Sequence, residues 1–248
     1  MNDTVSALIL SQSDYREHDV MIRVLTAEYG IIGFIAAGAR KMTSKNAGSI
    51  LPYTEAEIQF DYKEGKTLFR LKTARTKQLF RPLHEDLLKS AAAAVACELC
   101  AGMASEAGET AGEEYAMLAK VFKALNEGHD APTVIALYMC DLMKLFGIEP
   151  DVDECVRCGS TVVAAVSARE GGFLCAQHAE QAGVPAAGVM DLKRFRLLVK
   201  GGLEHLELIE KTGGAKMGDL EILADMLKLH AGTELRSFAF FKRFFAIE

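Results

Sequence analysis

Four residues stand at spacings suited to gripping a metal ion. Cys155 and Cys158 form one pair, sixteen residues follow, and Cys175 and His178 form the second. Zinc takes four thiolate or imidazole donors in a tetrahedron, and two short knuckles joined by a hairpin deliver them. The stretch between the pairs reads as that hairpin: a strand at Val162–Val166, a turn at Arg169–Gly172 and a return strand at Phe173-Leu174. The expectation is one structural Zn2+ per chain, held by Cys155, Cys158, Cys175 and His178. Such an ion supplies on the order of 10 kcal/mol of local folding energy, enough for so small a module.

Other chemistries fit this cluster less well. A catalytic zinc keeps an open position, whereas four donors fill the shell here. A nucleotide deaminase needs H-x-E upstream of P-C-x-x-C. His205-Leu206-Glu207 lies downstream instead, and Glu154 rather than proline precedes Cys155. A thioredoxin-type redox pair needs a βαβ setting that the surrounding pattern lacks. Cys97 and Cys100 share one side of a helical segment with no histidine or acid pair to complete a shell, and Cys140 stands alone; all three read as core. Neither phosphate-cradling glycine loop nor a G-x-S-x-G elbow occurs. Glu17 and Asp19 read as turn residues rather than an acid/base pair, and the remaining histidines are scattered. The chain is therefore read as a protein other than an enzyme.

The elements that must position the cluster fall in two groups. Through residue 80 the apolar residues alternate: Val5, Ala7 and Ile9; Val20, Ile22 and Val24; Ile32, Phe34 and Ala36; Ala56, Ile58 and Phe60; Phe69 and Leu71. Period-two runs broken by turn residues are half-buried strands. Five short strands suit a small closed barrel, such as an OB-fold, better than an open sheet with bare edges. After Pro82 the period becomes helical, with Leu88, Ala91, Val95 and Leu99; then Tyr115, Leu118, Phe122 and Leu125; then a helix opened by Pro132 and ended by Gly147. Residues Gly108–Gly112 read as a loop. Helical pattern resumes at Asp191–Lys200, near Leu220–His230 and at Leu235–Ile247. The last segment places Phe238, Phe241 and Phe245 on one face, which docks on the core or is presented to a partner. The fold class is thus α+β: residues 1–80 form a five-stranded OB-fold barrel, and 81–248 a helical domain with the zinc module inserted at 153–181.

Composition bounds the partners. The chain has 248 residues, 50% hydrophobic and 25% charged, as in an ordinary globular protein, with a net charge of −6. The apolar run at the N-terminus stops at Leu10 and carries no basic start, so a cytoplasmic protein is expected. A negative total argues against nucleic acid, which selects basic partners. The charge is unevenly spread, however. Residues 1–80 hold 11 basic and 9 acidic residues, whereas 81–154 hold 5 and 14. Between Glu28 and Glu55 the only charges are Arg40, Lys41 and Lys45, and six basic residues between Glu64 and Glu85 have no acid among them. A polyanion responds to this local field within about 10 Å; a solvated basic face is the plainer reading. Tyr15, Tyr29, Phe34, Tyr53, Phe60, Tyr62, Phe69 and Phe80 supply rings for the barrel core, with two or three left exposed to stack on bases.

Taken in order, several stretches resemble the bacterial RecO family of recombination mediators over nearly the whole chain. They are Ala7–Leu10, Asp14-Tyr-Arg-Glu-His-Asp19, Gly38-Ala-Arg-Lys41 with Ala47-Gly48, Arg81-Pro-Leu-His-Glu-Asp86, Cys155-Val-Arg-Cys-Gly159, Glu170-Gly-Gly-Phe-Leu-Cys175 and Leu235-Arg-Ser-Phe238. The resemblance implies an N-terminal OB-fold joined to a helical domain with a zinc module. It implies a role in RecF-pathway DNA repair: binding single- and double-stranded DNA, annealing complementary strands, binding the C-terminal tail of single-strand binding protein, and acting with RecR to load RecA. A nucleoid-associated location follows. Arg40, Lys41 and Lys45 fall in the family's basic loop after the third strand and are expected DNA contacts; Arg16 and Arg23, which flank the first loop and the second strand, are secondary candidates. Cys155, Cys158 and Cys175 match the family's zinc ligands. His178 departs from a pattern in which a fourth cysteine is usual. A zinc-dependent enzyme acting on nucleotides or nucleic acid, and a zinc-ribbon DNA-binding regulator, are the alternatives.

Overall fold

The alternating segments form strands β1 (Asn2–Asp14), β2 (Val20–Thr26), β3 (Gly30–Ala36), β4 (Thr54–Asp61), β5 (Leu68–Arg70) and β6 (Thr73–Leu79). The computed structural model describes residues 2–104 and 109–245. Part of the expected Gly108–Gly112 loop and the end of the last expected helix, through Ile247, lie outside the described residues. The chain is α+β and divides into two units, Met1–Asn126 and Glu127–Glu248.

In the first unit the sheet order is β5-β3-β2-β1-β4-β6. Neighbours are antiparallel except β3 and β5, which run parallel. The two edge strands are consecutive in sequence, separated only by Leu71 and Lys72. The Leu71 N–H donates to Ile35 O of β3 and the Lys72 N–H to Gln59 O of β4, each at 3.0 Å. Two residues thus carry the chain from one edge of the sheet to the other, and the sheet closes on itself. Closure brings the inward side chains into one core of Ala7, Ile9, Ile22, Val24, Phe34, Ile58, Phe60 and Phe69. The rings of Phe34 and Phe69 meet Phe60 edge-on at 5.0 and 4.9 Å.

The sheet has six strands rather than the five expected. Strand β6 escapes the sequence pattern because Ala74 is its one buried residue. It is held by β4 and by side chains of the loop between β3 and β4. Asn46 Oδ1 accepts from the Ala74 N–H at 3.0 Å, and Ser49 Oγ accepts from the Thr76 N–H at 3.1 Å. These caps leave less of an open edge to recruit a foreign strand.

Helices α1 (Pro82–Glu85), α2 (Leu87–Met103) and α3 (Ala111–Glu127) follow. The first unit continues through these helices to Asn126. The reason is aromatic packing: Phe122 of α3 meets Phe80 at 5.6 Å and Tyr53 at 6.1 Å, tying α3 to the strand ends. Tyr115 Oη also donates to Glu55 of β4 at 3.1 Å.

The second unit is built around α4 (Ala131–Leu145), which is buried from Ala131 to Cys140 without a break. A helix apolar all round belongs at a core centre. Its N-terminus is capped by Asp130, whose carboxylate accepts from the Thr133 N–H at 3.0 Å. Against it pack α6 (Val189–Gly201), α7 (Leu206–Lys211) and α8 (Met217–Ala231); the unit also holds the hairpin β7 (Ala165–Ser167) and β8 (Gly172–Leu174), with α5 (Ala176–Ala182) packed on it, and α9 (Arg236–Lys242). Phe238 and Phe241 of α9 are buried, as the shared-face pattern implies for core docking, while Phe240 is exposed. No helix among the described residues is long and apolar enough to cross a membrane.

Candidate functional site

The cysteine module folds locally as its spacing demands. The N–H groups of Cys158 and Gly159 donate to Cys155 O at 3.2 and 2.8 Å, closing a tight knuckle. Gly159 adopts φ +70°, a left-handed conformation that favours glycine. Cys175 follows β8 and caps α5, which places His178 one turn along the same face. The hairpin is pinned from below: Phe173 N–H donates to Asp151 O at 2.8 Å and Asp151 N–H to Gly171 O at 3.0 Å. A Cβ on Gly172 would stand 2.2 Å from Asp151 O, so only glycine fits there.

These contacts converge the four expected ligands. His178 Nδ1 lies 3.4 Å from Cys155 Sγ and 3.3 Å from Cys175 Sγ, and Cys158 Sγ lies 3.9 Å from Cys175 Sγ. All four donor atoms are within 4.8 Å of one another, and the group could hold a metal ion. Cys155 is buried and Cys158 exposed. Burial alone would push the Cys155 thiol up. The Cys175 and Arg157 backbone N–H groups, with His178 and the Cys158 N–H, outweigh it and bring it down to about 6. For Cys158 the Ser160 backbone pulls down, but the Cys155 and Cys175 sulfurs leave its thiol raised.

Charged contacts missed in the sequence fasten the module. Arg157 pairs with Glu170 through two hydrogen bonds of 3.1 and 2.7 Å, joining the knuckle to the hairpin turn. Arg196 of α6 reaches Val152 O and the Asp153 carboxylate, and Lys200 lies 3.1 Å from the same carboxylate. His230 Nε2 lies 2.8 Å from Ala168 O. The opposite charges were visible in the sequence, but their partners lie up to 47 positions apart (Asp153 to Lys200) with nothing local to pair them. Cys97, Cys100 and Cys140 are buried and are not among these donors, as expected of core thiols.

The expected nucleic-acid contacts gather in part. The turn after β1 and the turn after β3 are laced together. Asp19 Oδ1 accepts from the Gly38 N–H at 2.8 Å, the Arg40 N–H donates to His18 O at 3.1 Å, and the Arg40 guanidinium lies 3.0 Å from Asp14. Arg16, Arg40 and Lys41 thus share one exposed corner with Tyr15, whose ring lies under the Arg16 guanidinium at 5.2 Å. Asp19 is a turn residue, as its position implied. Lys45 lies elsewhere: its neighbour Asn46 is tied to Lys72 and Ala74, at the β5–β6 bend. Arg23 lies mid-strand on the outer face, in register with Ser11, Gly33 and, beyond it, Leu68. One row along, Met21, Ile35 and Arg70 line up on the same face. Arg70 was not singled out, although its position between inward Phe69 and Leu71 gives its direction.

Two of the six residues in the second basic run are paired closely with acids. Lys72 pairs with Asp61 at 2.5 Å and Lys77 with Glu55 at 2.7 Å. Of the eight aromatics in residues 1–80, Phe34, Phe60, Phe69 and Phe80 are buried, and Tyr29 and Tyr62 stack on each other at 4.5 Å against the core. Tyr15 is the ring left open, at 44% exposure. In the second unit, Leu137 and Met139 are fully buried in the core.

Two family models cover most of the chain. The model for "Recombination protein O N terminal" matches residues 1–80, and that for "Recombination protein O C terminal" matches residues 84–238. The chain belongs to the recombination protein O family. It is 31% identical over 224 residues to the DNA repair protein RecO of Limosilactobacillus fermentum, covering 90% of this chain and 78% of that protein. It is 29% identical over 239 residues to the DNA repair protein RecO of an Anaeromyxobacter species, covering 93% and 92%. Against the RecO of Latilactobacillus sakei it is 28% identical over 174 residues, covering 70% of this chain and 63% of that protein. The chain thus spans just under two thirds of that relative's length.

Proposed function

We propose that this chain acts in DNA repair as a recombination mediator without catalytic chemistry. In this reading residues 1–80 are an OB-fold that binds single- and double-stranded DNA, and residues 81–248 are a helical domain carrying a structural zinc module at 153–181. The chain anneals complementary strands and, with RecR and the C-terminal tail of single-strand binding protein, loads RecA in the RecF pathway at the nucleoid. Family membership supports the repair role. The observation that carries DNA binding is the corner where Arg16, Arg40 and Lys41 converge beside the exposed Tyr15 on a closed sheet. Cations on phosphates beside an open ring suit a flexible single strand. Arg23 and Lys45 extend the contacts from the outer face and the β5–β6 bend.

Zinc fits the donor set. Bond lengths of about 2.3 Å to sulfur and 2.0–2.1 Å to nitrogen in a tetrahedron give edges of about 3.8 Å between sulfurs and about 3.5 Å from sulfur to nitrogen. The distances of 3.9, 3.4 and 3.3 Å match those edges. Four protein donors leave no open position for a substrate, which favours a structural ion over the zinc-enzyme alternative. A bound zinc would brace the hairpin; Cys155, Cys158, Cys175 and His178 Nδ1 would hold it.

The net charge of −6 shapes the binding. DNA affinity is modest and falls steeply with salt, so recruitment by protein partners matters more than charge. The test is annealing of complementary strands coated with single-strand binding protein, at moderate salt, with and without RecR. Acceleration supports the mediator reading; no acceleration in either case overturns it. Sequence-specific duplex binding without annealing would favour the zinc-ribbon regulator.

A further inference from the structure

The loop between β3 and β4 ends in an apolar residue that packs on nothing. Met42 is 104% exposed, as open as a side chain in an extended peptide. It is held there by a tight turn in which the Ser44 N–H donates to Lys41 O at 2.9 Å. Both ends of the loop are fixed to the closed sheet. On one side Gly38 and Arg40 are bonded to Asp19 and His18. On the other, Asn46 holds Ala74, and Ser49 holds Thr76. A single exposed apolar residue on a globular surface is ordinary. Met42 differs in its setting: it stands in a loop braced at both feet, it lies between exposed Lys41 and Lys45, and the loop itself carries no acid, the carboxylates at its first foot being engaged by Gly38 and Arg40.

That arrangement has a chemistry. Flanking ammonium groups draw phosphates to both sides of the tip, which leaves the bases of the same strand facing the methionine. Methionine is unbranched, flexible and polarisable, and it packs well against aromatic faces. Apolar side chains of this kind enter base steps and unstack them. We propose that Met42 inserts between neighbouring bases of a bound single strand, with Lys41 and Lys45 on the flanking phosphates, and holds those bases apart. Splayed bases present their pairing edges, which is the form an incoming complementary strand needs. This inference rests on the reading of the first unit as a single-strand binder and names the contact that unit makes.

The test uses the full chain and a single-stranded oligonucleotide carrying 2-aminopurine next to adenine, whose fluorescence rises when the base unstacks. Wild-type protein binds and raises the fluorescence. Met42→Ala binds within about threefold of wild type, since the lost contact is offset by the unstacking no longer done, but it loses most of the rise. Met42→Phe keeps the rise. Lys41→Ala and Lys45→Ala each weaken binding and each lower the salt slope by about 0.7. Wild-type binding with no rise, or a full rise with Met42→Ala, overturns the insertion while leaving single-strand binding intact. Failure of wild-type protein to bind overturns both.

Discussion

Replacing His178 with alanine tests the candidate metal centre at its one donor that is not a cysteine. The Nδ1 atom stands 3.4 and 3.3 Å from two of the three sulfurs, close to the tetrahedral edge for a shared zinc. A structural four-donor site is worth about 10–16 kcal/mol in small zinc-folded peptides. An even share for one donor is about 3–4 kcal/mol, which corresponds to about 100- to 1000-fold in affinity. His178→Ala is expected to lose that much in competition with a chromophoric zinc chelator at neutral pH. His178→Cys restores a fourth donor at the same place on the first turn of α5 and recovers affinity to within about tenfold. Hydrogen exchange in β7 and β8 should rise in the alanine variant and return in the cysteine variant. Unchanged zinc affinity in His178→Ala would refute the four-donor geometry. Well below one zinc per chain in metal-replete wild-type protein would refute the site altogether.

Three other outcomes follow from the same contacts. Gly172→Ala sets a Cβ against Asp151 O and should cost about 1–3 kcal/mol of stability by denaturant unfolding, with raised exchange in the hairpin. Arg194→Met strands the Asp219 carboxylate, which is 5% exposed and receives bonds of 2.6 and 3.0 Å from Arg194, so a loss of about 3–5 kcal/mol is expected. Adding Asp219→Asn should recover part of it, because the buried charge is removed, although Lys216 N–H still needs its acceptor. The Lys72 ammonium on Asp61 holds that carboxyl below its ordinary value. A depressed folded value stabilises above the unfolded value of about 4 and is lost as pH falls through the folded one. Asp61→Asn should therefore lower the melting temperature slightly at neutral pH, where the exposed pair contributes, and converge with wild type as pH falls below about 4, which flattens the acid limb of the profile.

The legible parts of this fold were those with a short-range signature. Strands β1 to β4 showed because Ile9, Ile22, Phe34 and Ile58 alternate with outward residues and meet in one core. The metal group showed because each pair, Cys155/Cys158 and Cys175/His178, sits within one turn of chain. Strand β6 did not show, since its pairing with β4 is backbone-made and its outward residues are polar on both sides. Helix α7 (Leu206–Lys211) is too short to display a period. The basic cluster was half legible. Arg16 and Arg40 carry no local sign that Asp19 will bond Gly38 and draw their turns together. Nor does the run from Lys66 to Arg81 disclose that Lys72 and Lys77 are already paired across the sheet.

The central claim is that the corner built by the turns after β1 and β3 is where DNA binds. The direct measurement is the salt dependence of single-strand binding, by fluorescence anisotropy, for wild type and an Arg16→Gln/Arg40→Gln/Lys41→Gln variant. Three lost phosphate contacts at about 0.7 each predict a slope of log affinity against log salt that is shallower by about 2, with weaker binding at every salt concentration. An unchanged slope with unchanged affinity, in a variant that melts like wild type, would contradict the account.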